Sequence, residues 1–304
     1  MMKVTLRQTK TKDDVMKSEH MSKRDWFYDI ESLHNIFTVA LYNPESGQFK
    51  IVIHTDDDFD VWHHQQDIID YIYRINQFQF KYDKINKSSI SIITLDELIS
   101  SLLHDYYNDS DNPTRLFGWN SQSYDAPLLS YIIYKYKEAL KSQMKAELRA
   151  KQIDEEEALR ELDAIDIKDY FENCKEPCIT ASVIREFSDD LVSKKTLKDA
   201  FGSTRLKTQS FYYELKNKHI FIDVQKLNEG MSYESLKRVS AQLGLMILES
   251  DKLAGDNAKV ESLEDIKELT AYNYVDVFNM YMIFAHPSYF SPFGQKSGIT
   301  TRFN

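Results

Sequence analysis

Five side chains in this sequence have the types and settings for metal-ion chemistry. They are Asp29 and Glu31 in WFYDIES, Asp125 in LFGWNSQSYDAPLL, and Tyr272 with Asp276 in AYNYVDVFNMYMIF. Each carboxylate stands in an otherwise apolar or aromatic run. An acid buried in such a run is costly unless something positive compensates. A divalent ion is the natural compensator, because hard cations take carboxylate oxygens. Two such ions, roughly 3.5–4 Å apart, are a known device for cleaving phosphodiesters.

Each segment has a bland reading beside the chemical one. Asp29 and Glu31 on a strand share one face, because side chains alternate with period two. That lets both reach one ion, although an Asp-x-Glu pair is also common as exposed edge charge. The apolar run before them marks a central strand, where charges need a reason. Asp125 follows Gly118, which permits close backbone approach, and Asn120, which offers both donor and acceptor. Its bland reading is a helix-start charge. Tyr272 and Asp276 are four apart on a helix and face the same way. A phenol beside a metal-binding carboxylate can orient an attacking water; otherwise it is a tyrosine packed on a core.

The elements that must position these groups are readable in part. Residues 26–31 read as a buried strand. A turn from Ser32 to Asn35 leads into IFTVALYN, then Asn43 to Gly47 turns the chain into QFKIVIH. Short β-rich runs between turn residues predict an antiparallel meander. A helical spacing follows in VWHHQQDIIDYIYRIN. Thr94 and Glu97 form a capping-box pattern before LDELISSLLHDYY. After NDSDNP, RLFGW reads as a strand added in parallel, with Pro127 in the first turn of the next helix. Residues 136–170 are rich in Ala, Glu, Lys and Leu, with Leu140, Met144 and Leu148 four apart. They read as one or two solvated helices. Residues 171–217 resist assignment. HIFIDVQKL (219–227) reads as a strand and YESLKRVSAQLGL as a short helix. A long helix spans about Leu263 to Ala285, capped by Ser262 and stopped at Pro287.

Bulk composition sets limits. Hydrophobic residues make up 42% and aromatics 13% of 304 residues, enough for a sizeable core. The net charge of −10 argues against a surface built for nonspecific duplex binding. It is compatible with an acidic nuclease, since bound cations reverse the local field. Cys174 and Cys178 read as free thiols of a reducing cytoplasm. No apolar run approaches a membrane span, and no membrane association is expected. The many Lys, Asn, Ile, Tyr and Asp residues suit a phage or a low-GC bacterium, hence a bacterial or host cytoplasm.

In this order and these contexts, FYDIES, GWNSQSYDAPLL and AYNYVDV resemble the DEDD superfamily of 3′–5′ exonucleases (DnaQ-like, ribonuclease H-like). The Tyr272-x-x-x-Asp276 spacing points to its DEDDy subgroup. The nearest likeness is to the exonuclease domains of phage and family B DNA polymerases, extended by HIFIDVQKL and ESLKRVSAQLGL. The resemblance covers residues 25–285 and lapses over about 135–215, an apparent helical insertion. It implies an α/β ribonuclease H-like fold: a mixed central sheet, antiparallel meander plus parallel strands, flanked by helices. The polar first residues read as a flexible leader (1–24), before the exonuclease domain that the resemblance implies (25–288, with the helical insertion) and a tail (289–304).

The resemblance also implies roles. Asp29, Glu31 and Asp276 would hold a first Mg²⁺ or Mn²⁺ ion that generates the hydroxide. Asp29 would bridge to a second ion, which stabilises the leaving 3′-oxygen, with Asp125 helping through water. Tyr272 would position the nucleophilic water. The products would be nucleoside 5′-monophosphates. Asn120 and Tyr124 match positions that touch the terminal nucleotide, and Ile30 and Ser32 flank the first motif. Phe27 and Phe37 are expected in the core, and His34 in loop packing. The expected partner is the 3′ end of single-stranded DNA, for proofreading or free-standing editing beside a DNA polymerase domain or subunit. Two alternatives stay open: a 3′–5′ exoribonuclease, and a decayed nuclease fold kept as a scaffold or binding module. Decay would erase at least one carboxylate, and none is missing.

Overall fold

The sequence alternation of the first strand dictates which layer each side chain joins. In the computed structural model, which describes residues 21–79, 85–108, 113–150, 179–193, 203–218, 220–227, 234–250, 253 and 258–286, strand β1 spans Asp25–Ser32. Phe27 enters one apolar cluster, while Tyr28 and Ile30 enter another on the opposite face. Period two therefore puts Asp29 and Glu31 on the Phe27 face.

Strands β2 (Ile36–Asn43) and β3 (Gln48–Thr55) complete the expected meander, pairing antiparallel in the order β1-β2-β3. The side chain of Asn43 is fully buried and ties the β2–β3 turn to the start of β1. Its Nδ2 donates to the Lys23 and Asp25 carbonyls at 3.0 and 2.9 Å. Its Oδ1 accepts from the Ser46 amide at 2.7 Å, and Gly47 takes the left-handed φ of 68° that closes the turn. Strand β5 (Arg115–Gly118) adds to β1 in parallel, as its position after a helix predicts.

Two strands depart from the sequence reading. β4 (Ile90–Ile93), too short to have shown periodicity, pairs parallel with β3 at one edge. β6 is confined to Phe221–Asp223, after which a helical turn, α6 (Val224–Leu227), forms rather than more strand. The sheet order is β4-β3-β2-β1-β5-β6.

Helices cover both faces. On the Phe27 face lie α1 (Gln65–Gln79), α7 (Leu236–Gln242) and the long α8 (Leu263–Phe284). α8 is apolar nearly all round, as a helix enclosed by sheet and helices must be. Phe27 meets Tyr281 and Phe284 edge-on at 5.6 and 5.4 Å between ring centroids. Each such buried aromatic or aliphatic side chain stabilises by about 1.5–3 kcal/mol. Ser262 caps α8, accepting from the Asp265 amide.

On the other face lie α2 (Leu95–Asn108), α3 (Asp125–Ala150), α4 (Ala181–Val192) and α5 (Ser203–Asn217). The Thr94–Glu97 capping box is formed reciprocally, at 2.7 and 3.0 Å. The helix that begins after β5 runs unbroken to Ala150, so residues 136–150 extend it. The rest of the 136–170 reading, the leader to residue 20, the tail, Pro287 and both cysteines lie outside the described residues. No helix among the described residues is long and apolar enough to cross a membrane.

Gly118 ends β5 close against the Tyr28 side chain of the neighbouring β1. A Cβ there would sit 2.4 Å from Ser121 Cβ and 2.8 Å from Tyr28 Cε1. Both neighbours are buried, so neither can step aside. Gly118→Ala is expected to destabilise the fold by about 1–3 kcal/mol through overpacking, measured by urea denaturation. An unchanged unfolding midpoint would show that the turn relaxes freely.

Candidate metal centre

α8 crosses β1 so that its last turn covers Phe27 and its middle meets the acidic pair. Asp276, 7% exposed, faces Asp29 and Glu31 from the helix. One carboxylate oxygen from each of the three lies within 4.8 Å of the others. Asn273, one turn before Asp276, donates its Nδ2 to Asp29 Oδ2 at 3.4 Å.

Asp125 arrives from the other side of the sheet. After Gly118, Asn120 adopts a left-handed φ of 51°, and a tight turn at Ser121–Ser123 aims the chain back at β1. Trp119 anchors this turn, its Nε1 donating to the Glu234 carbonyl at 3.1 Å. Asp125 is the first residue of α3, and the Ile30 amide donates to its carboxylate. It lies outside the close trio, but its charge acts on both Asp29 and Glu31. The group sits at the carboxyl ends of the parallel strands β1 and β5, near where open α/β sheets bind ligands. A cleft of about 440 Å³ opens there, lined by Asp29, Glu31, Ser32, Asn120, Tyr124 and Asp125 among others.

Burial and mutual repulsion raise every one of these acids. Burial first, then the charges of Asp125, Glu31 and Asp276, push Asp29 well above the usual carboxylate range. Burial and the Asp276 and Asp125 charges push Glu31 up to about 8, against some relief from Lys237. Asp125 is raised to about 7, chiefly by burial. Asp276 is raised to about 6 by burial, opposed by Lys237 and the Tyr272 hydroxyl that hydrogen-bonds it. One pKa unit corresponds to about 1.4 kcal/mol. Without a cation the cluster therefore opposes folding at neutral pH, and stability is not its purpose.

The sign of that cost can be tested. A carboxyl whose folded pKa is raised adds stability below its unfolded pKa near 4.5, and that contribution is lost as pH rises through about 8. Glu31→Gln does not titrate. In chelator, its melting temperature is expected to climb relative to the parent protein from pH 5 to pH 8.5. A difference that stays flat or shrinks with pH would contradict the crowded-carboxylate picture.

The other sequence-predicted residues fall around the cleft in different ways. Tyr272 is half-buried on α8, and burial together with the Asp276, Glu31 and Asp29 charges raises its phenol well above the ordinary value. Tyr124 holds Ser188 of α4, hydroxyl to hydroxyl, at 2.6 Å, and burial pushes its phenol up to about 12. Asn120 is exposed at the rim. The Ser32 carbonyl accepts from Arg185 at 2.6 Å. Ile30 borders the cleft with its backbone while its side chain, 3% exposed, belongs to the core. Phe27 and Phe37 are fully buried. His34 is exposed, its amide donating to the Ala258 carbonyl at 3.1 Å.

Three neighbours went unread in the sequence. Asn273 steadies Asp29. Lys237, on α7, places its Nζ 5.0 Å from the Tyr272 ring centroid and offsets the Glu31 and Asp276 charges. Arg185 enters the cleft from α4. The i, i+3 spacing of Asn273 and Asp276 was an available signal, and Lys237 stands in the ESLKRVSAQLGL segment that carries part of the resemblance, where it was given no role; Arg185 had no signal without the fold. Comparison with family models, with curated proteins and with solved structures finds no match for this chain.

Proposed function

We propose that this protein is a two-metal-ion 3′–5′ exonuclease of the DEDDy type, acting on single-stranded DNA ends. The observation that carries the reading is the meeting of Asp29, Glu31 and Asp276 within 4.8 Å, with Asp125 and Tyr272 beside them. Sequence resemblance alone gave these five in order; nothing in their order required them to converge. The mixed sheet, a meander extended past β1 by parallel strands, suits the ribonuclease H-like arrangement that the resemblance implies.

The donor set fits Mg²⁺ or Mn²⁺. It offers only hard carboxylate oxygens, and the mutual repulsion that raises their pKa values is what a cation relieves. Asp29, Glu31 and Asp276 would hold one ion, and Asp29 with Asp125 would help hold a second. Bound there, the ions supply nucleophile activation and leaving-group stabilisation. The chain's own residues do the rest. Tyr272 keeps its proton at neutral pH and is oriented by Asp276, so it positions a water rather than deprotonating one. Asn120 and Tyr124 border the space for the terminal nucleotide, with the Tyr124 phenol fixed by Ser188.

Single strands labelled at the 3′ or the 5′ end, incubated with Mg²⁺ or Mn²⁺, test the reading. The 3′ label should appear at once as mononucleotide while the 5′-labelled strand shortens stepwise. Matched RNA strands separate the exoribonuclease alternative, and no hydrolysis of either would leave a binding module.

Tyr272 and Asp276 should separate in kind. Tyr272→Phe is expected to slow hydrolysis by about 10²–10⁴-fold, the range for losing one positioned acid–base group, while keeping Mn²⁺ affinity. Asp276→Ala should lose both. Calorimetric Mn²⁺ titration of the two variants decides the matter, and equal loss of affinity would show the roles misassigned.

A further inference from the structure

We propose that Arg185 holds a backbone phosphate of the strand in the cleft, which makes α4 part of the substrate site. The proposal rests on the nuclease reading and deepens it. α4 belongs to the stretch that the family resemblance does not cover, so nothing in the resemblance assigns this residue.

The placement is built rather than incidental. Helix α4 is fixed to the core at several points. The Asp56 carboxylate caps it, accepting from the Ala181 and Ser182 amides at 2.6 and 2.8 Å. His54 Nε2 lies 2.8 Å from the Ile179 carbonyl just before it. Phe187 stacks on Tyr131 of α3, centroids 3.9 Å apart and planes 7° from parallel. From this fixed helix, Arg185 lines the cleft with its side chain only 15% exposed. Its Nη1 donates to the Ser32 carbonyl at 2.6 Å, and its Nε lies 2.9 Å from Asp189 Oδ1. The guanidinium is thus oriented before any ligand arrives, which lowers the entropy lost on binding.

The charge pattern says what it would hold. Among the described residues lining the cleft, Arg185 is the only cationic one, against Asp29, Glu31 and Asp125. A polyanion entering this cleft meets repulsion from the carboxylates, and finds relief at the ions the site would bind, at Lys237 beside Tyr272, and at Arg185. A planar guanidinium fork matches a phosphate's oxygens, as an ammonium does not. Tyr124, also fixed by α4 through Ser188, lines the same cleft. One helix would therefore supply both a phosphate contact and the brace for a nucleotide-facing phenol.

The rival role for Arg185 is a strut between α4 and β1, and the test must separate the two. Single strands carrying one neutral methylphosphonate, moved linkage by linkage, are degraded by the parent protein, Arg185→Ala and Arg185→Lys, with melting temperatures recorded for each. The parent should show one linkage whose neutralisation raises KM about 10- to 100-fold, the span of a charge-assisted hydrogen bond. Arg185→Ala should raise KM comparably on the all-phosphate strand, with kcat much less affected. Combining the two changes should cost no more than either alone. The salt dependence of KM should fall by about one phosphate contact, and Arg185→Lys should recover part of the loss. Losses that multiply at every linkage, or a folded Arg185→Lys and Arg185→Ala pair with parental KM and salt slope, would overturn the proposal and leave the strut. A parent protein that shortens no strand would overturn the nuclease reading, and this one with it.

Discussion

Asp29→Ala should abolish hydrolysis while leaving the ion-free fold as stable as before, or more so. Asp29 is the acid that would bridge both ions of the proposed site: its oxygens lie close to those of Glu31 and Asp276, and Asp125 acts on it by charge. Losing the ion that Asp29 would hold removes Lewis-acid stabilisation worth several kcal/mol, and each 1.4 kcal/mol is tenfold in rate. A drop of at least about 10³-fold follows. The same change removes one of several crowded negative charges, so repulsion in the ion-free state falls. Most substitutions destabilise; this one should not. Mononucleotide release and thermal melting in chelator, run on the same preparation, supply both readings. Activity within tenfold of the parent would end the assignment of Asp29.

A larger stability effect is expected far from the cleft. Asp25 is fully buried at the start of β1 and takes two bonds from Arg115, from Nε and Nη2, each at 2.6 Å. Arg115 begins β5, so this pair pins the parallel strand to the central one. Arg115→Met would leave a carboxylate buried without its countercharge, which costs about 3–5 kcal/mol. That is a large share of the roughly 5–15 kcal/mol by which domains are stable. Replacing both residues by apolar ones, Arg115→Met with Asp25→Leu, should restore much of the loss, because no buried charge then remains. Urea denaturation of the parent, single and double variants closes the cycle. A single variant costing under about 1 kcal/mol would show that water reaches Asp25.

What the sequence disclosed was local. β1, β2 and β3 announced themselves through apolar runs cut by turn residues, and the Asn43–Gly47 turn, the Thr94–Glu97 box and the Ser262 cap are each written within five residues. Gly118 was readable as a place of close approach because only glycine fits beneath Tyr28. β4 was not, since ISII is four residues with no period to detect. β6 was overextended because Val224 to Leu227 carry strand-like apolar residues yet turn helically after Asp223. The site was legible as five residues of suitable chemistry. The roles of its supporting cast were not: Lys237, within a segment of the resemblance, lies over the Tyr272 ring, and Arg185 reaches the Ser32 carbonyl, only through helix packing that no local pattern encodes.

The contact between Asn273 and Asp29 joins positions 244 residues apart. Closing that span costs entropy before the contact repays it, so pairings of this range are intrinsically slow to form. The proposed ion site, which needs Asp276 beside Asp29 and Glu31, thus cannot exist in any partly folded form that lacks α8 against β1. Divalent cations would bind the finished protein and not its precursors, drawing the population toward completion by mass action. Protection of the α8 amides from hydrogen exchange would then track cation concentration, and a chain cut before Leu263 would be blind to it.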